Sequence, residues 1–154
     1  MSRRYLRTSV SRRHLDWLNK ANEDMRAAEL LVEHPDCYNM CAFHCQQTIE
    51  KALKAFLLIV SDRLLDGHNL TWLCRQALRY DKAFEQWLDE SATLNRFYIE
   101  TRYPADVSLA INKERIHQIY GMAREMVEFI REQIEDEEED EPPKDPVAAL
   151  EAER

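Results

Sequence analysis

Apolar residues along this chain recur three and four positions apart over long stretches, the period of helices that bury one face. Leu15, Leu18, Met25, Ala28 and Val32 form the first stripe; with Ser11 as a good N-cap, they predict a helix from near Ser11 to about His34, stopped by Pro35. Asp36 is placed to cap a second helix, running to about Ser61, which is the most apolar part of the chain and therefore central; Gly67 marks its exit. A shorter helix is predicted from about Asn69 to Arg79, with Leu70, Leu73, Ala77 and Leu78 inward. Asp81 can cap a fourth, from Lys82 to about Tyr98, carrying Phe84, Trp87, Leu88 and Leu94. The pattern then breaks at "IETRYPADVSLAI", where Pro104 disfavours helical geometry at Tyr103. Asn112 caps a long last helix whose stripe is Ile116, Ile119, Ala123, Met126, Val127, Ile130 and Ile134. There is no strand alternation and no hairpin signal, so the class is all-α, an antiparallel helical bundle of about five helices.

One position disturbs the pattern. The second helix, "FHCQQTIEKALKAFLLIV", carries two adjacent amides, Gln46 and Gln47, and a buried amide without a partner costs about 1 to 3 kcal/mol. At 100° per residue the two cannot point the same way. One borders the apolar stripe and the other faces a partner helix or a subunit contact, while Glu50, Lys51 and Lys54 continue the polar side.

Composition supports few turns and long helices: the 154 residues include only two glycines and fit one domain. No apolar run reaches the roughly 18 residues of a membrane span, and "MSRRYLRTSV" has no apolar segment after its arginines. The expectation is a soluble, cytoplasmic protein without membrane association. Charge is concentrated at the ends. Met1 to Arg13 holds five arginines and no acid, whereas Glu135 to Arg154 holds ten acids and two bases. This divides the chain into a basic N-terminal arm (1–10), the helical bundle (11–136) and an acidic tail (137–154) expected to be disordered for want of apolar surface. The tail is either a solubilising segment or an arm that occupies a basic site until nucleic acid displaces it. Arg3, Arg4, Arg7, Arg12 and Arg13 either fray without a role or touch phosphates.

Cys37, Cys41 and Cys45 repeat every four residues on one helix face, with His44 beside them. Zinc sites usually draw two ligands from a tight knuckle and two from a second element, so this spacing favours reduced cysteines packed as small hydrophobes over a site completed by Cys74 or His68. No metal and no cofactor are expected.

Three segments in order, "AFHCQQTIEKALKAFL", "GHNLTWL" and "FYIETRYP", resemble the HEPN domain (higher eukaryotes and prokaryotes nucleotide-binding), and the likeness runs from about Leu15 to Ile134. The resemblance implies a compact homodimeric helical bundle, often partnered by a small nucleotidyltransferase-domain protein, at times as a toxin–antitoxin pair. It also implies that Gln46 and Gln47 belong to a structural polar network with His68 and Asn69, near the dimer contact. Many HEPN proteins are metal-independent RNases that use an arginine followed, after four to six residues, by a histidine. A proton-exchanging group and a fixed positive charge are what phosphodiester cleavage needs. Arg102 stands where that arginine is expected, but Val107, Ser108 and Leu109 occupy the histidine's window, His117 lies beyond it, and Tyr103 replaces the usual small polar residue. Arg63 and His68, in "RLLDGH", satisfy the count at a different junction, where they can also serve as helix-end and capping groups. The resulting expectation is a module that binds a nucleotide or RNA phosphate through Arg102, with Tyr98 and Tyr103 able to stack on a base. The alternatives are a metal-independent endoribonuclease toxin using Arg102 or Arg63 with His68 or His117, and a structural dimer or adaptor without a ligand.

Overall fold

The computed structural model describes the backbone of residues 3–98 and 110–140, and side chains from residue 13 onward within those ranges. Five α-helices account for most of it: α1 (Arg3–Leu31), α2 (Tyr38–Ser61), α3 (Leu70–Leu78), α4 (Leu88–Asn95) and α5 (Lys113–Glu139). Two 3-10 turns, Pro35–Cys37 and Lys82–Trp87, join α1 to α2 and α3 to α4. The described residues contain no strand, and no helix among them is long and apolar enough to cross a membrane.

The most apolar helix takes the centre. α2 packs along α1, against α5 and beside α3, and buries Ile49, Leu53, Phe56, Leu57, Leu58 and Ile59. Cross-contacts set the direction of α1 relative to its neighbours. Ala28 meets Cys41, Asp24 meets His44 and Lys51, and Trp17 meets Lys54, so α1 and α2 run antiparallel. His14 meets Glu138, and Asn22 meets Arg131, so α1 is antiparallel to α5 as well. The predicted stripe of α5, from Ile116 to Ile134, is buried at every named position.

Several boundaries differ from the expectation, each for a local reason. α1 begins at Arg3 rather than near Ser11, since residues 3–13 contain no glycine or proline to stop it. Its inward row is His14, Leu18, Ala21, Met25, Ala28 and Val32, while Leu15 is 42% exposed. Leu15 directly follows His14, a 100° step that turns the leucine outward. Asp36 does not cap α2: Pro35 opens a 3-10 turn and Cys37 is the N-cap, without a side-chain hydrogen bond. The fourth predicted helix divides. Asp81 does cap its start, accepting from the Ala83 amide at 3.0 Å, but Lys82–Trp87 is 3-10 and only Leu88–Asn95 is α. Three residues per turn bring Phe84 and Trp87 to one side. There both rings meet Phe129, with centroids 5.1 and 5.7 Å away, and Phe84 also packs on Phe56 at 4.6 Å.

The caps of the other helices follow from their side chains. Asn69 accepts from the Trp72 amide at 3.0 Å and Asn112 from the Arg115 amide at 2.8 Å. α2 ends at Asp62, which adopts a left-handed conformation (φ 57°), and Gly67 (φ 103°) turns the connection toward α3.

Candidate functional site

The polar side of α2 is where this bundle departs from a plain hydrophobic core. Glu50 is almost wholly buried, yet its two oxygens take four donors. Lys54 Nζ (3.1 Å) and His68 Nδ1 (2.8 Å) reach Oε1, while the amides of Gln47 (3.0 Å) and Gln46 (3.3 Å) reach Oε2. Gln47 also donates to Gln46 Oε1 at 2.7 Å, and Gln46 Nε2 lies 3.3 Å from the His68 carbonyl. The fully buried amide of Gln46 thus has partners for both donor and acceptor, which removes the penalty of burying it. Lys54 completes the cluster with its ammonium 5.5 Å from the Trp17 ring centroid, a cation–π contact from α1.

A second charged cluster lies beside the first. Asp24 on α1 accepts from His44 Nδ1 (2.8 Å) through one oxygen and from Lys51 Nζ (2.5 Å) through the other. Burial pushes the Asp24 carboxyl up, but the hydrogen bonds and charges of His44 and Lys51 outweigh it and hold the group below its ordinary 3.8.

Aromatic rings connect the two clusters. His68 stacks on Tyr98 with centroids 4.3 Å apart and planes 15° from parallel; Tyr98 approaches Phe43 at 6.5 Å, and Phe43 meets His44 edge-on at 5.6 Å.

The predicted site residues are distributed as follows. Gln46, Gln47 and His68 come together on Glu50. Asn69 does not join them through its side chain, which is spent capping α3. Tyr98 stands against His68, whereas Arg102 and Tyr103 lie outside the described residues. Arg63 is exposed just beyond α2, and the side-chain partners of His68 are Glu50 and Tyr98. His117 belongs to another corner: its Nδ1 faces the Lys113 carbonyl at 2.8 Å and its Nε2 is 3.5 Å from Glu33. Among the described residues, no three His, Cys, Asp or Glu side chains gather as metal ligands. Cys41, Cys45 and Cys74 are buried; Cys41 donates to the Ala28 carbonyl and Cys74 to the Phe84 carbonyl. The hydrogen bond with Cys41, together with burial, pushes the Cys45 thiol well up.

Sequence reasoning placed Glu50 and Lys54 on the polar side, but both are buried. The i, i+4 spacings Gln46–Glu50 and Glu50–Lys54 carried the signal for an intrahelical network. Asp24 and His44 were not singled out as a pair, since twenty positions and a helix reversal separate them.

None of the curated proteins is significantly similar to this chain in sequence. Among solved structures, the crystal structure of an archaeal HEPN homologue superposes with a TM-score of 0.62 at 22% identity, over 79% of this chain and 97% of the archaeal one. The family model described as HEPN domain matches residues 14–133, the span from the start of the described α1 side chains to the last turns of α5. With most of its length matched by that model, and its five helices arranged around a polar-edged α2, the chain belongs to the HEPN domain family.

Proposed function

We propose that this chain is a dimeric HEPN module that binds a nucleotide or RNA phosphate and acts with a nucleotidyltransferase-domain partner, as one half of a toxin–antitoxin pair. The observation that carries the reading is the anchoring of Tyr98. Its ring stacks on His68, and His68 is held by the buried Glu50, so Tyr98, four positions before Arg102 in the sequence, stands beside the polar edge of α2. The guanidinium of an arginine can hold two phosphate oxygens in its fork, and a dimer would bring a second one. Titration of the wild-type protein and Arg102→Ala with AMP and with a single-stranded oligoribonucleotide tests this. The variant is expected to keep its circular dichroism and lose at least tenfold in affinity; unchanged affinity would count against the reading. Sedimentation should give twice the 18.3 kDa chain mass.

A second reading is favoured by one observation, the Glu50–His68 pair. A carboxylate on Nδ1 orients an imidazole whose Nε2 is available for proton transfer, as a metal-independent RNase requires. Incubation with RNA in EDTA, alongside His68→Ala, separates the two. Cleavage that disappears in the variant supports the nuclease, and intact RNA supports the binding module.

A further inference from the structure

We propose that the cleft between α1 and α5 binds a small organic anion, a carboxylate or phosphate monoester joined to a compact apolar body, through none of the residues of the phosphate reading above. The cleft holds about 170 Å3, room for a body the size of a benzene ring. Its walls come from facing stretches of two helices. Because Asn22 on α1 meets Arg131 on α5 and the two helices are antiparallel, Met25 and Glu29 continue along one wall while Val127, Arg124 and Tyr120 continue along the other. Seven residues of helix, from Asn22 to Glu29 and from Arg131 back to Arg124, make each wall about 10 Å long.

Arg131 fixes the sign of the ligand. It is partly buried, and its Nη2 donates to Asn22 Oδ1 at 2.6 Å. Its Nε is covered and has no acceptor among the described residues, and the ion pairs among those residues do not include it. The two carboxylates that line the cleft are already matched, Glu29 with Arg26 at 3.0 Å and Glu128 with Arg124 at 3.6 Å. Three guanidiniums thus stand against two carboxylates, and the one left over, Arg131, is the least exposed of the three. A partly buried cation without a counter-ion is disfavoured, and an anion seated against its fork removes that deficit.

The rest of the cleft selects what the anion is attached to. Met25 and Val127, between the two ends, supply an apolar floor. A ring lying there covers that floor, whereas a bare ion leaves it open to water. Tyr120 stands toward the far end. Burial first, and then the charge of Glu29, pushes its phenol above the ordinary value, so the group keeps its proton at neutral pH and can donate to a polar end of the ligand.

The test titrates the full chain, labelled with 15N and 13C, with benzoate, phenyl phosphate, inorganic phosphate and benzylamine. The two aryl anions are expected to give saturable shifts of the Arg131 Nε resonance and of the Met25 and Val127 methyl resonances, with inorganic phosphate and benzylamine at least tenfold weaker. Arg131→Gln should lose at least tenfold in affinity for the aryl anions. Met25→Trp, which fills the cleft and keeps the guanidinium, should lose as much. Tighter binding of phenyl phosphate assigns the phosphate monoester, tighter binding of benzoate the carboxylate, and either supports the site. Inorganic phosphate or benzylamine binding within twofold of the aryl anions overturns the proposal, as does a folded Arg131→Gln protein within twofold of the wild type. Where a variant misfolds, the wild-type protein decides: unmoved Arg131, Met25 and Val127 resonances under excess benzoate and phenyl phosphate remove the site.

Discussion

Glu50 holds four donors on two oxygens while almost wholly out of water, and one of those donors is the equally buried Lys54 ammonium. Removing the carboxylate charge leaves that ammonium without its counter-ion, so Glu50→Gln is expected to cost about 3 to 5 kcal/mol, read by urea denaturation. Replacing Lys54 by Met on the Glu50→Gln background should recover part of the loss, because the stranded charge is then gone. Phe84 is a residue of another kind, fully buried against Phe56 and Phe129; its truncation to Ala should cost about 3 to 5 kcal/mol through the cavity alone. The importance of Phe84 could be read from its place in an apolar stripe. That of Glu50 could not, because a carboxylate among amides and lysines reads as a solvated face until the approach of His68 and Trp17 closes it off.

At the scale of the element, Asn69 separates a local role from a tertiary one. Its side chain caps α3 and takes no part in the Glu50 cluster, so Asn69→Ala should lower stability by about 1 kcal/mol and leave the Gln46 and Gln47 side-chain amide resonances in place. Helix α5 was legible residue by residue, since its stripe has a regular period and Asn112 marks its start. The fourth predicted helix was not. Its apolar positions suit either helical pitch over so short a run, and the meeting of Phe84, Trp87 and Phe129 selected the tighter turn. The start of α1 was misplaced for a different reason: Ser11 is a good cap by type, but nothing in the residues before it ends a helix.

For the whole molecule, the charged clusters tie stability to pH in a defined direction. The folded-state carboxyl of Asp24 titrates below its ordinary 3.8, so its contribution is present above that value and is lost as pH falls through the lower folded-state one. The stability difference between the wild-type protein and Asp24→Asn, measured by urea denaturation, should therefore be largest near neutrality and shrink below about pH 4. The same packing protects the thiols. Native alkylation with iodoacetamide should modify Cys37, which is partly accessible, while Cys41, Cys45 and Cys74 react only after unfolding. The family and the helical class were visible in the ordered segments around the paired glutamines, because such a pattern survives within one chain. The join between Asp24 and His44, and the row of rings from His44 to His68, arise only when helices reverse and meet, a step that no linear spacing encodes.

The descending rungs between α1 and α2, from Ala28 with Cys41 through Asp24 with His44 and Lys51 to Trp17 with Lys54, differ in kind at each level: thiol to carbonyl, acid to base, cation to ring. Sliding one helix past the other by a single turn, about 5.4 Å, would bring another cysteine of the four-residue repeat to the Ala28 carbonyl but would part Asp24 from His44 and Lys51, and Trp17 from Lys54. The acid–base and cation–ring rungs, not the thiol, therefore set the alignment, which gives a nearly glycine-free chain of long helices a built-in guard against misregistered folding.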